Sequence, residues 1–254
     1  MKINFLGTNG WYDTSTGNTS CVLIESEDYY IVFDAGNGFY KLDRYLKKDE
    51  PVFLFLSHFH LDHISGLHIL DKFSFKKGLR IYGPKGTRDI LKIIANKPFT
   101  LPLSDLTFKV DVLELPKHKE KLPFRIECMD LLHSSFTLGY RLSLEGKVIV
   151  YCPDTGYCDN AVKLAQGADL LIAECSLKSA EYDIKWPHLN PQYASRIAKE
   201  AEVGQLVLFH FDASRYPTMD SRKEAEIEAK KTFPNSIASK DDMQIQIQTS
   251  LSRK

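Results

Sequence analysis

Three histidines and an aspartate fall within six positions of the stretch SHFHLDH, at His58, His60, Asp62 and His63. Alternate side chains of an extended segment point to one side, and imidazole with carboxylate is a donor set suited to zinc, iron or manganese. The stretch follows VFLFL, an apolar and aromatic run that reads as a buried strand. A solvated histidine tract or a lone hydrogen-bonded histidine would not need this spacing, so a metal site is the first expectation. Three more residues of ligand type stand in the same kind of place: His133 after IECMDLL, Asp154 after KVIVYCP, and His210 at the end of LVLF. Seven such residues are enough to hold two ions.

The elements that must position them follow from periodicity. Strands are expected near 2–7, 21–26, 29–34, 52–57 and 80–83, with helices near 39–47, 64–73 and 87–95. A segment punctuated by proline runs from Pro98 to Pro123. Strands near 124–132, 138–144 and 147–153 come next. Helices near 160–166, 191–201 and 220–231 then alternate with strands near 169–174, 205–210 and 243–248. The pattern is α/β. YYIVFDAGNGFYKLDRYL from Tyr29 and KVIVYCPDTGYCDNAVKLA from Lys147 echo each other: each is a strand, an aspartate, a glycine and a helix, and an apolar strand follows. The echo predicts two βα halves, roughly 1–123 and 124–254, within one domain spanning 1–254. Asp34 and Asp154 would occupy related strand ends, where open α/β sheets carry their chemistry.

Bulk composition excludes several classes. The 254 residues are 43% hydrophobic and 26% charged, an ordinary globular balance, and no apolar run approaches the ~20 residues of a membrane span. The N-terminus MKINFLGTNG lacks a signal-peptide pattern, so the expected location is the cytoplasm. Five cysteines without a CxxC pair indicate neither a disulfide framework nor a structural zinc knuckle. The 33 basic and 33 acidic residues cancel, so no global field attracts nucleic acid; Lys76 with Lys77, and KHKEK from Lys117, are the local basic patches.

The HxHxDH run after an apolar strand, with a later histidine, a later aspartate at a strand end and a final histidine, resembles the metallo-β-lactamase superfamily across essentially the whole chain. The resemblance implies a four-layer αβ/βα sandwich of two mixed sheets with helices outside and the site at the seam. It implies His58, His60 and His133 on one metal, Asp62, His63 and His210 on the other, Asp154 bridging them, and Asp34 supporting the ligands from behind. The blocks HSSFTLGYRL, PDTGYCDNAVKLAQGADLLIAECSL, HLNPQYASRIAKEA and HFDASRY are similar to those of ribonuclease Z and its phosphodiesterase relatives. One departure stands out. Ribonuclease Z carries a long tRNA-gripping arm between its third histidine block and its bridging aspartate, whereas here only 20 residues, positions 134 to 153, separate His133 from Asp154. That spacing is closer to the compact phosphodiesterases and lowers the expectation of tRNA processing.

The implied chemistry is hydrolysis of a phosphodiester by a metal-activated water, on RNA ends, cyclic nucleotides or small diesters. Two divalent ions are the expected cofactors, zinc first, with manganese, iron and nickel compatible with the same donors. Asp62 would accept a proton from the water, and His188 would donate one to the leaving alkoxide or hydrogen-bond a phosphate oxygen. His188 also precedes a helix capped by Asn190 with Pro191 at its first position, which by itself accounts for a polar residue there. Ser214 and Arg215 are candidate phosphate contacts, although Arg215 reads equally as a surface residue. A thioester hydrolase of the glyoxalase II type shares the HxHxDH run, and a non-catalytic metal- or nucleic-acid-binding member of the fold is the third reading. A homodimer is compatible with the sequence.

Overall fold

In the computed structural model, which describes residues 1–248, two sheets lie face to face with helices on both outer sides. The first sheet has the order Met243–Gln246, Lys2–Gly7, Cys21–Glu25, Tyr30–Phe33, Val52–Phe55, Leu79–Gly83, Val110–Glu114. Its last four strands run parallel, and its first four pair antiparallel. The second sheet has the order Ser236–Ala238, Leu206–Phe209, Leu170–Glu174, Lys147–Cys152, Thr137–Leu144, Arg125–Leu131. The strands from Lys147 onward are parallel to one another there, and the remaining pairs antiparallel. No helix among the described residues is long and apolar enough to cross a membrane.

Hydrophobic strands buried on both faces require cover on both faces, and three apolar clusters supply it. The middle one is aromatic: Phe33 stacks on Tyr151 at 5.0 Å and on Tyr140 at 5.7 Å, joining the two sheets. Burying each such ring contributes roughly 1.5–3 kcal/mol. The outer clusters pack Leu67 and Leu91 on the first sheet, and Ile197 and Ala225 on the second. Two hydrogen bonds tie the sheets together beside the histidine stretch: Leu138 N donates to the Ser57 carbonyl (3.0 Å) and the Tyr140 hydroxyl to the Leu56 carbonyl (2.6 Å).

Both echoed segments are strand, short helix and parallel strand, with Asp34 and Asp154 just past the first strand of each. The expected helices at 39–47 and 64–73 are not regular α-helices. The first is a 3₁₀ helix, Asn37–Arg44; the second is one α-turn, Leu61–Ile64, followed by a 3₁₀ segment, Ser65–Lys72. The reason is tertiary: Gly66 N donates to the Ala35 carbonyl, and Ala35 N to the His63 carbonyl, so groups that would continue the helix bond across to the other segment. Gly66 is needed there, since a Cβ would come within 2.4 Å of the Gly36 carbonyl oxygen. The proline-punctuated segment contains an edge strand, Val110–Glu114, and short strands not expected from the sequence stand among the described residues at Asn9–Gly10, Phe211–Asp212 and Ser236–Ala238.

Arg222 holds the helix Met219–Lys230 to the loop that begins at Thr8. It is fully buried, donates to the Thr8 hydroxyl, the Ser239 carbonyl and Asn9 Oδ1, and lies 4.7 Å over the Phe211 ring. Arg222→Met is expected to lower unfolding stability by about 2–4 kcal/mol, because three buried acceptors lose their donor. A shift in urea midpoint at constant slope would check this.

Candidate metal centre

Every predicted ligand lies at the carboxyl end of a strand or in the loop after it, on the seam between the sheets. His58 follows Val52–Phe55, and His63 and Asp62 sit in the first turn of Leu61–Ile64. His133 follows Arg125–Leu131, Asp154 follows Lys147–Cys152, and His210 follows Leu206–Phe209. Asp34 and His210 have φ of 58° and 51°, a conformation costing a non-glycine residue about 1–3 kcal/mol and concentrated at functional sites. Gly10 makes room for the His210 ring, since a Cβ there would meet the imidazole at 2.5 Å.

The donors form overlapping groups. His58, His60, His133 and Asp154 make one, Asp62, His63 and His210 a second, and Asp154, His188 and His210 a third, with the ligand atoms of each group within 4.8 Å of one another. Asp154 turns one oxygen to each side. Oδ1 lies 3.0 Å from His63 Nε2 and 3.1 Å from His210 Nε2, while Oδ2 lies 3.9 Å from His58 Nε2 and 3.7 Å from His133 Nε2. His58 Nε2 and Asp154 Oδ1 are buried without a hydrogen-bond partner, which is costly unless something else satisfies them. A cation on each side of Asp154 fits this donor set.

The far nitrogens of the rings are tied down. His63 Nδ1 lies 2.8 Å from Asp34 Oδ2 and His58 Nδ1 3.0 Å from the Ser57 hydroxyl, which itself donates to Asp34. His210 Nδ1 lies 3.0 Å from the Ser176 hydroxyl, whose proton goes to the His210 carbonyl, so the oxygen accepts from the ring. These bonds place the protons on Nδ1 and leave Nε2 as the donor atom. Asp34 also accepts from Ser57 N (2.7 Å) and from the Tyr151 hydroxyl (2.8 Å). Asp34→Ala is therefore expected to weaken metal binding about 10- to 100-fold while leaving every ligand in place, measurable by titrating metal-free protein.

Electrostatics follow from crowding ionisable groups in a dry place. Burial and the neighbouring His63 push His58 well below the ordinary histidine range, and burial lowers His60 and His133. Burial opposes charge on His63 and His210 too, but Asp154 and Asp62 raise both. Burial likewise opposes the ionised Asp154, yet His210 and His63 hold it well below the carboxylate range; His63 and His210 do the same for Asp62. Protons on two rings thus stand where cations would neutralise the carboxylates, and cations must displace them.

The ligands open into a cavity of about 680 Å³. His188 lines it, with Nδ1 2.5 Å from Glu174 Oε1, and Glu174 is held in turn by Thr155 N (2.8 Å) and Ser176 N (3.0 Å). Burial disfavours its charged form, but Glu174 raises His188 to about 9. Asn190 and Pro191 do cap the next helix, as expected, without drawing His188 away. Arg215 is on the cavity wall, but its guanidinium is paired with Glu181 (2.9 Å) and Asp212 (3.1 Å). Ser214 is not among the lining residues, and its amide donates to Asp212. Sequence reasoning missed Glu174, although LLIAE ends in an acid at a buried strand end just as YIVF does one residue on at Asp34. It also missed Trp11, whose amide donates to Asp62 Oδ2 (2.7 Å), and Trp186, stacked on His60.

A four-layer αβ/βα sandwich with a shared His and Asp cluster at the seam defines a metal-dependent hydrolase of the metallo-β-lactamase fold. The chain matches the Beta-lactamase superfamily domain over residues 29–211 and belongs to that superfamily. It is 29% identical over 215 residues to the probable metallo-hydrolase YhfI of Bacillus subtilis (strain 168), covering 83% of this chain and 86% of that one. To ribonuclease Z of Methanosarcina acetivorans it is 28% identical over 306 residues, 97% and 98% of the two chains. That alignment is longer than this chain, so the relative carries insertions. The crystal structure of YhfI superposes with a TM-score of 0.79 at 25% identity, over 96% and 99% of the chains. Human tRNase Z, short form, gives 0.73 at 24% identity, over 98% and 100%, which supports the fold alone.

Proposed function

We propose that this protein is a dinuclear phosphodiesterase working on small diesters or RNA ends. The observation that carries the reading is His188 in the ligand cavity, its Nδ1 engaged by Glu174 and its Nε2 free. An alkoxide leaving group needs a proton, whereas a thiolate, with a parent pKa of about 8.5, leaves without one. A thioesterase has no use for that arrangement.

His58, His60 and His133 would hold one ion, Asp62, His63 and His210 the second, and Asp154 both. When bound, two divalent ions, zinc first, lower the pKa of a water from 15.7 toward about 7 and neutralise charge developing on the phosphoryl group. Asp62 would accept the water's proton in this reading. As oxygen adds to phosphorus and the ester P–O bond breaks, Nε2 of His188 protonates the departing oxygen, leaving a phosphomonoester and an alcohol. Ribonuclease Z among the relatives supports phosphodiester chemistry, and the chain acts in this reading as one domain of two βα halves, each contributing ligands. Ser214 and Arg215 have no part in this scheme, since one is off the cavity wall and the other is ion-paired.

Protein freed of metal by chelation and reloaded with zinc or manganese should hydrolyse bis-p-nitrophenyl phosphate and alkyl diesters, and lose that activity again with chelator. Hydrolysis of a glutathione thioester without any diester turnover would reject the proposal.

A further inference from the structure

The mechanism leaves the two large aromatic side chains of the cavity without a role. Trp11 and Trp186 are the chain's only two tryptophans, and both line this one cavity. They remain 67% and 50% exposed, large apolar surfaces left open to water. Trp186 belongs to the His58, His60 and His133 side. Its ring is nearly parallel to His60 (5.6 Å, 10°) and meets His133 edge-on (5.6 Å, 72°), so one face is covered by a ligand while much of the indole remains in water. It is also 6.2 Å from His188, the proposed proton donor to the leaving group.

The charge on the wall is unsuited to a long polyanion. Its one arginine, Arg215, is already paired with Glu181 and Asp212, and Asp183 adds a further carboxylate. A polynucleotide backbone is held by several lysines and arginines. This mouth offers flat apolar surface instead, and stacking on an aromatic side chain is how proteins hold a base without reading its edges.

We propose that Trp186 is a base platform, and that the substrates of this site are small phosphodiesters whose leaving alcohol is a nucleoside with its base stacked on the indole. The inference rests on the phosphodiesterase reading and narrows its substrate class. Trp186 acts as a specificity residue: it holds the leaving nucleoside beside His188 and takes no part in bond breaking.

The test uses the metal-loaded full chain, the dinucleoside phosphate ApA, and two derivatives lacking one base or the other. Whether 3′-AMP or 5′-AMP accompanies the released adenosine identifies the leaving side of ApA. Removing the leaving-side base should lower kcat/KM about 10- to 100-fold, chiefly through KM. Trp186→Leu should bring that ratio close to one, and Trp186→Phe should restore most of it. If Trp186 merely props His60, Trp186→Leu lowers turnover of all three substrates together, the ratio survives, and the platform is rejected. Equal wild-type rates with and without the base also reject it, while the phosphodiesterase reading stands. If no diester is cleaved, that reading fails and binding decides the platform. Saturable quenching of tryptophan fluorescence by adenosine 5′-monophosphate, absent with ribose 5-phosphate and in Trp186→Leu, supports it; no quenching overturns it.

Discussion

Asp154→Ala is expected to reduce diester hydrolysis by about 10³-fold or more and to lower bound metal at both ligand groups together. Among the described residues, no other faces both sides with a separate oxygen, Oδ1 toward His63 and His210 and Oδ2 toward His58 and His133. Removing His133 would take one donor from one group, whereas removing Asp154 takes a donor and the shared negative charge from both. Asp154→Asn separates the two contributions, because it keeps the shape and loses the charge. Metal analysis of the purified variants, with activity measured across a zinc titration, reads the outcome. Two ions bound with wild-type affinity in Asp154→Ala would exclude the bridging role. Metal affinity of the unmodified protein should also rise with pH, since His63 and His210, both raised, must give up protons before their Nε2 atoms can bind.

His188→Ala should lose about 10²- to 10⁴-fold in kcat on alkyl diesters while retaining its full metal content. The loss should shrink sharply for p-nitrophenyl esters, whose leaving group departs without a proton. With His188 raised to about 9, the donor is protonated below that pH and deprotonated above it. Turnover of alkyl diesters by the wild type should therefore fall as pH rises through about 9, and His188→Ala should lack that limb. Glu174→Gln keeps the hydrogen bond and removes the charge that raises the imidazole, so its alkaline limb should move to lower pH. A variant at His188 that keeps full activity, or that loses metal, would contradict the assignment.

The seven candidate donors that the structure gathers at the seam were legible because strand-end positions and donor chemistry are local properties. VFLFLSHFHLDH carries both its buried strand and its ligands within twelve residues, and Asp154 and His210 each follow an apolar run. The sheets could be read for the same reason, since burial on both faces leaves continuous apolar runs. The helices at Asn37–Arg44 and Ser65–Lys72 were misjudged because their backbone bonds go to one another's segment, which no window of sequence contains. The strand Val110–Glu114 was hidden among prolines that flank it without interrupting it.

What the sequence by itself determined is the inventory: the donors, their strand ends, the α/β alternation and the short span between His133 and Asp154. Tertiary structure alone decided how that inventory is used. The turning of the two Asp154 oxygens to opposite groups, the Asp34 bond that puts a proton on the far ring nitrogen of His63, the grip of Glu174 on His188 and the exposed indole of Trp186 over His60 all join residues separated in the chain. Distances of a few ångströms between such residues are set by how two sheets pack, through contacts like Phe33 on Tyr151, and that packing is a property of the whole chain rather than of any segment.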